Sequence, residues 1–189
     1  MKARRGLHNR IVAAFGPILL AFLLAGPSAA QTEALDRLFE RLKTAEAGEA
    51  GRIEREIWAE WSKSGSPAMD LLLKRGRDAM EAGDTAAAIE HLTALIDHAP
   101  EFAEGWNARA TAYYQAGQFG PSVADIAQAL RLNPRHFGAL TGFAIILEET
   151  EREAEALEVY RSVLAIHPHL ATVEEAVERL ETKAAGQDL

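Results

Sequence analysis

Five of the six histidines, His91, His98, His136, His167 and His169, are the side chains of this sequence best suited to hold a metal ion, and His167-Pro168-His169 sets two of them side by side. A zinc site needs three or four ligands at workable spacing. Four of the five histidines fall in or beside segments between helical patterns, and no carboxylate or further histidine completes a set, so the sequence predicts no metal site. Ser62, Ser64, Ser66, Ser122 and Ser162 lack the strained elbow that exposes a nucleophilic serine, and Ser64-Gly65-Ser66 reads as the turn before Pro67. The glycines fall in turns and form no phosphate cradle. Pairs such as Glu151 and Glu155 around Arg152 read as solvated helix faces. The sequence therefore points to no stand-alone enzyme and to no bound cofactor. One run remains, EGWNARATAYYQAG at residues 104–117, which combines tryptophan, two tyrosines, arginine and asparagine. These types fill ligand pockets and also build cores, so the elements around them must decide.

The chain opens with Lys2, Arg4, Arg5 and Arg10 and no acid, followed by the apolar run Ile11 to Ala25. That run falls short of the roughly 20 residues that a membrane-spanning helix needs. Small Ser28 and Ala30 then occupy the positions that a signal peptidase reads, so residues 1–30 are expected to be a secretory signal cleaved after Ala30, with an uncleaved anchor as the alternative. Loss of four basic residues would take the formal charge from −8 to −12 on the remaining 159 of 189 residues. An acidic surface repels phosphate backbones and anionic lipid heads, which argues against nucleic acid or, after cleavage, a membrane as partner. Without any cysteine there are no disulfides, thiol nucleophiles or lipoprotein acceptor, and the fold must rest on its core.

Internal periodicity supplies that core. Pro100, Pro134 and Pro168 lie 34 residues apart, each closing a helical pattern. In the same step Trp106 aligns with Leu72 and Leu140, Ala110 with Gly76 and Ala144, Tyr113 with Ala79 and Leu147, and Gly117 with Gly83 and Glu151. Ala88, Ser122 and Ala156 share one further phase, Leu92, Ile126 and Tyr160 a second, and Leu95, Ala129 and Val163 a third. As a set these residues resemble the tetratricopeptide repeat (TPR), with Arg75, Arg109, Phe143 and Glu151 departing from its usual pattern. The resemblance implies an all-α solenoid of helix-turn-helix units. We expect three repeats over 67–170, a divergent helical pair over 31–66 that forms a degenerate repeat with Trp58 and Trp61 packed on the next helix, and a capping helix with a frayed tail over 171–189. Ser66 should cap the helix at Pro67, and Thr172 with Glu175 should form a capping box. Trp106, Ala110 and Tyr113, at i, i+4 and i+7, read as scaffold.

The resemblance further implies a concave groove lined by the first helix of each repeat. The 34-residue step predicts that it is formed by Arg77, Met80, Asn107, Thr111, Tyr114, Thr141, Ile145 and Glu148, with Glu104 and Leu73 on the same face and with Asp36, Phe39, Lys43 and Glu46 added by the degenerate repeat. Family members that grip chaperone C-termini use a cluster of Lys, Arg and Asn there, and Arg77 and Lys43 alone do not supply it. The expected function is a periplasmic adaptor that holds a neutral or partly basic protein segment. Alternatives are an accessory or assembly subunit of an envelope enzyme or cytochrome, and a small-ligand-binding module. Partner identity and oligomeric state are not readable from the sequence.

Overall fold

The computed structural model describes residues 29–187, so the expected signal lies, through residue 28, outside the described residues. Among these residues the chain is all-α: α1 (Ala29–Thr44), α2 (Ala47–Trp61), α3 (Pro67–Glu81), α4 (Thr85–His98), α5 (Ala103–Gln115), α6 (Phe119–Leu132), α7 (Phe137–Glu149), α8 (Glu153–Ile166) and α9 (Ala171–Gln187). None of these helices is long and apolar enough to cross a membrane.

The 34-residue step is a step in space. α5, α7 and α9 start at 103, 137 and 171, and α4, α6 and α8 start at 85, 119 and 153. Each turn inside a repeat needs one left-handed residue: Gly83 at φ 77°, Gly117 at φ 70° and Glu151 at φ 62°. Glycine takes that conformation without cost, whereas Glu151 takes it against its own Cβ. α3 packs on α4, α5 on α6 and α7 on α8, and each pair stacks on the next, with α9 closing the end on α8.

Small residues set the closeness of this packing. A Cβ on Gly76 would stand 2.5 Å from Leu92 Cγ. Ser122 is buried and donates from Oγ to the Ala110 carbonyl at 2.8 Å, which satisfies both groups between α5 and α6. Leu92, Leu95, Ala129, Tyr160 and Val163 fill the core at the phases read from the sequence. Trp106 and Tyr113 are half-buried scaffold. The Trp106 indole donates to the carbonyl of Pro100 at 2.8 Å, and the Arg109 guanidinium lies over both rings, 5.1 and 5.6 Å from their centroids. Arg109 reaches Asp125 through two bonds of 2.7 and 2.9 Å and donates to Thr93 at 3.1 Å, so an ion pair fills the place where an aliphatic side chain was expected.

The ends depart from expectation. The α1–α2 hairpin does not continue the stack onto α3. Trp58 and Trp61 meet the start of α7 instead: Trp58 lies edge-on to His136 and Phe137 (5.6 and 5.5 Å), and Trp61 stacks on His136 at 4.2 Å. The physical reason is the seat at Gly138, where a Cβ would come within 2.5 Å of Trp58 Cη2; absence of a side chain leaves room for the ring. Arg135 pins α1, bonding Asp36 at 2.6 Å and covering the Phe39 ring at 4.4 Å. At the other end α9 begins at Ala171, which puts Thr172 inside the first turn and not at a cap; the chain enters through the Leu170 carbonyl, which accepts from Val173 and Glu174. Val173, Ala176 and Leu180 are its buried stripe, and residues 183–187, expected to fray, continue the helix. Ser66 does hold the cap position of α3 but makes no side-chain cap bond; Asp70 turns back to accept from Ser64 N and Oγ at 2.8 and 2.6 Å.

Candidate functional site: the concave groove and its cover

The concave face is built by α3, α5 and α7, whose residues recur on one side at helical spacing. Between α2, α5, α7 and the start of α9 lies a cavity of about 390 Å³. Asn107, Thr111 and Tyr114 of α5 and Thr141 and Ile145 of α7 line it, together with Glu54 and Trp58 of α2 and with Leu170 and Val173. A second, more open hollow of about 530 Å³ lies between the end of α2, α3 and α5, where Arg77 and Met80 join Asn107, Thr111 and Trp58. Seven of the eight predicted groove residues thus border two neighbouring hollows that share Trp58 as a wall.

Glu148 is the exception. Its carboxylate accepts from the Tyr160 hydroxyl at 2.9 Å and pairs with Arg179 at 2.8 Å, tying α7 to α8 and α9. Burial, with that carboxylate beside it, pushes the Tyr160 phenol well above its ordinary range. Leu73 is buried in the α3–α5 core and offers no groove surface. Of the positions assigned to a degenerate repeat, Phe39 is buried, Asp36 is paired with Arg135, Lys43 with Glu40, and Glu46 stands at the cap position of α2; none of the four lines either hollow.

The polar groups of the groove serve the protein itself. Glu104 is 3% exposed, and its carboxylate accepts from Arg77 at 2.6 Å, from Asn107 Nδ2 at 3.1 Å and from His136 at 2.8 Å. His136 Nδ1 accepts from the Ala139 backbone at 3.2 Å, which assigns the proton to Nε2 and makes it the donor to Glu104. This chain of groups links α3, α5 and α7, and the Trp61 ring seals it from above. A buried carboxylate needs such partners, because unpaired it would carry a heavy desolvation cost. Thr111 and Thr141 turn their hydroxyls back onto the Asn107 and Phe137 carbonyls, and Tyr114 stacks on Phe119 while donating to Glu149, which holds its phenol above the ordinary range. What remains open to a ligand is mainly the apolar body of these side chains. Two histidines take structural roles, His136 in the chain of groups around Glu104 and buried His167, which accepts on Nδ1 from the His169 backbone at 3.3 Å and whose pKa burial lowers.

The residues that sequence reasoning missed are those of the cover, Glu54 and Trp58. One signal could have found them. Gly138 occupies the phase of Asp70 and Glu104, and a glycine at a face position marks close approach of another group.

The sequence profile of the tetratricopeptide repeat matches residues 73–120 and 107–171. A TPR repeat-containing protein of Rhizobium etli is 37% identical over 160 residues, 84% of this chain and 78% of the relative. The chain belongs to the tetratricopeptide repeat family. A second relative, the small glutamine-rich tetratricopeptide repeat-containing protein 2 of Mycosarcoma maydis, is 31% identical over 52% of the chain and 28% of its own length. Among solved structures, the Arabidopsis OM64 TPR domain superposes with a TM-score of 0.58 at 23% identity, over 61% of this chain and 95% of that domain. The MamA protein superposes with a TM-score of 0.58 at 18% identity, over 84% of each chain. These likenesses concern the fold. Within this TPR chain, the profile's matches span residues of α3 to α8 and the start of α9, and the α1–α2 hairpin, outside the matched residues, walls both hollows with Trp58.

Proposed function

We propose that this tetratricopeptide repeat protein is a non-enzymatic adaptor that holds a segment of a partner protein in its concave groove, and that it works after export, in the periplasm, once residues 1–30 have been removed. The observation that carries the reading is the convergence of Asn107, Thr111, Tyr114, Thr141 and Ile145 on one walled, largely apolar cavity. Apolar walls with few polar groups suit the buried face of an amphipathic segment. Similar folds support it: the first TPR of Spaghetti (RPAP3), 21% identical with a TM-score of 0.59 over 62% of this chain and 95% of that one, is bound to the HSP90 peptide SRMEEVD. That acidic ligand is not carried over, because the groove cation Arg77 is already paired with Glu104.

The test is crosslinked capture with a tagged full-length chain expressed in its host, beside a folded Thr111→Arg, Ile145→Arg variant. Proteins retained by wild type and lost with the variant support the reading; identical captures would move the binding surface elsewhere. Fractionation of the same cells tests export. A cavity of about 390 Å³ also falls in the roughly 300–1,000 Å³ range of small-ligand sites, which favours a small apolar ligand as the second reading. A ligand-dependent rise in melting temperature without any protein partner would mark that case.

A further inference from the structure

The groove already holds a helix. α2 lies across it with Trp58 walling both hollows, and Trp58 and Trp61, one turn apart, lodge against His136, Phe137 and Gly138. We propose that the α1–α2 hairpin is an internal ligand of the groove: the groove takes an amphipathic helix bearing two aromatic rings one turn apart, and a partner helix of that chemistry enters by displacing α2. The inference rests on the groove-binding reading and adds the class of partner and the step that admits it.

Three observations carry it. The seat is shaped for a ring, since a methyl at position 138 would stand 2.5 and 2.9 Å from two Trp58 ring carbons. The seated state is also incompletely satisfied. Trp61 Nε1 and His167 Nε2 are both buried at this junction without a hydrogen bond, His167 having only the Glu54 carboxylate, 3.6 Å from Nε2, beside it. Unpaired buried groups weaken the state that buries them, so a competitor that satisfies or uncovers them gains an advantage. Finally, the attachment is hinged. α2 has close backbone packing with α1, whereas it reaches α7 through the two tryptophans, and Ser62, just past its end, accepts from Arg77 of α3 at 3.1 Å. Residues 62–66, with Gly65 at φ 83°, join α2 to α3 outside any helix. Helix α2 can leave only together with α1, which parts Asp36 and Phe39 from Arg135 and opens the core that Trp61 shares with Phe137, while the α3–α4 and α5–α6 pairs keep their own packing.

The experiment uses a fluorescein-labelled peptide of residues 47–63, AGEAGRIEREIWAEWSK, titrated into the full chain and into a Trp58→Ala, Trp61→Ala variant of the full chain. In wild type the peptide competes with its own tethered copy; in the variant the seat is vacated. The expected result is at least about tenfold tighter binding to the variant, and loss of that binding when Gly138→Leu is added. Equal affinity for wild type and variant would overturn the internal-ligand proposal while leaving groove binding intact. Peptide binding to the variant that survives Gly138→Leu would overturn both, because the site would then lie elsewhere. Should the double variant not fold, hydrogen exchange on wild type decides: amides of α2 exchanging well before those of α5 to α8 support a detachable hairpin, and equal protection overturns it.

Discussion

The ring of Trp58 stands in the space that a side chain on Gly138 would need, 2.5 Å from where its Cβ would lie. Inside α7, glycine costs about 0.5–1 kcal/mol relative to alanine, so the sequence accepts a weaker helix to seat the ring. Gly138→Ala should consequently destabilise the protein by about 1–3 kcal/mol through overpacking. In a Trp58→Ala background the same change should become stabilising by about 0.5–1 kcal/mol, because only the helix preference remains. Urea denaturation of the four proteins measures both signs, and a Gly138→Ala effect that ignores the residue at 58 would remove Trp58 from this seat.

Arg109 and Asp125 join α5 to α6 with side-chain exposures of 14% and 7%. Asp125 holds the guanidinium pKa of Arg109 above its ordinary value by accepting its hydrogen bonds. Removing one partner strands the other: Asp125→Ala should cost about 3 kcal/mol. Replacing both, as Arg109→Leu with Asp125→Ala, should return stability to within about 1 kcal/mol of wild type, since an aliphatic contact replaces a desolvated pair. Additive losses in the double variant would show that the two groups do not act as a pair.

Glu151 holds φ 62° at the turn where the preceding repeats use Gly83 and Gly117. A left-handed conformation costs a non-glycine residue about 1–2 kcal/mol, part of which glycine gives back as unfolded-chain entropy. Glu151→Gly should therefore stabilise by about 1 kcal/mol and raise the melting temperature by roughly 2–4 °C. Calorimetry of the variant checks this, and a fall in melting temperature would locate a contact of Glu151 that outweighs its strain.

Burial lowers the pKa of His167 below the ordinary histidine value of about 6.5, against the opposing pull of Glu54. A depressed folded-state value means that the unfolded chain binds the proton more readily, so stability is retained above pH of about 6.5 and lost as pH falls from there through the folded-state value. A His167→Phe variant should lose less stability than wild type between pH of about 7 and 5. Parallel thermal melts across that interval measure the difference, and coincident pH profiles would contradict the assignment.

How much of this was legible in the sequence follows from which contacts obey the 34-residue step. Helix starts, turn residues, the small residues at 76, 110 and 122 and seven groove positions repeat because each repeat meets its neighbours in the same way. Leu73 and Glu148 belong to the same helix faces, but an inter-helix core and an Arg179 ion pair claim them, and neither partner follows from periodicity. Leu38, Trp58 and Trp61 also fall on the 34-residue step, yet any amphipathic hairpin can match three apolar phases. Their true partners at 136–138 are set by a long-range fit around a glycine, which no local pattern encodes. The Arg77–Glu104–His136 chain is similar: its members are visible, while their convergence depends on three side chains, from α3, α5 and the cap of α7, reaching one point.

The contact between Asp36 and Arg135 spans 99 residues, in a molecule whose repeats otherwise meet mostly their sequence neighbours. Stacked repeats can zip from any point, each unit stabilising the next. The hairpin cannot join that process, for its berth is finished only when the third repeat has folded, and bringing such distant segments together carries a closure entropy that local contacts avoid. Helices α1 and α2 are synthesised before the repeats they dock on and are thus the last of the described helices to find their place. During that interval Trp58, Trp61 and the open groove coexist within reach of other chains, so at high concentration the hairpin of one molecule can settle into the groove of another, and dimers formed by exchange are the expected by-product of refolding.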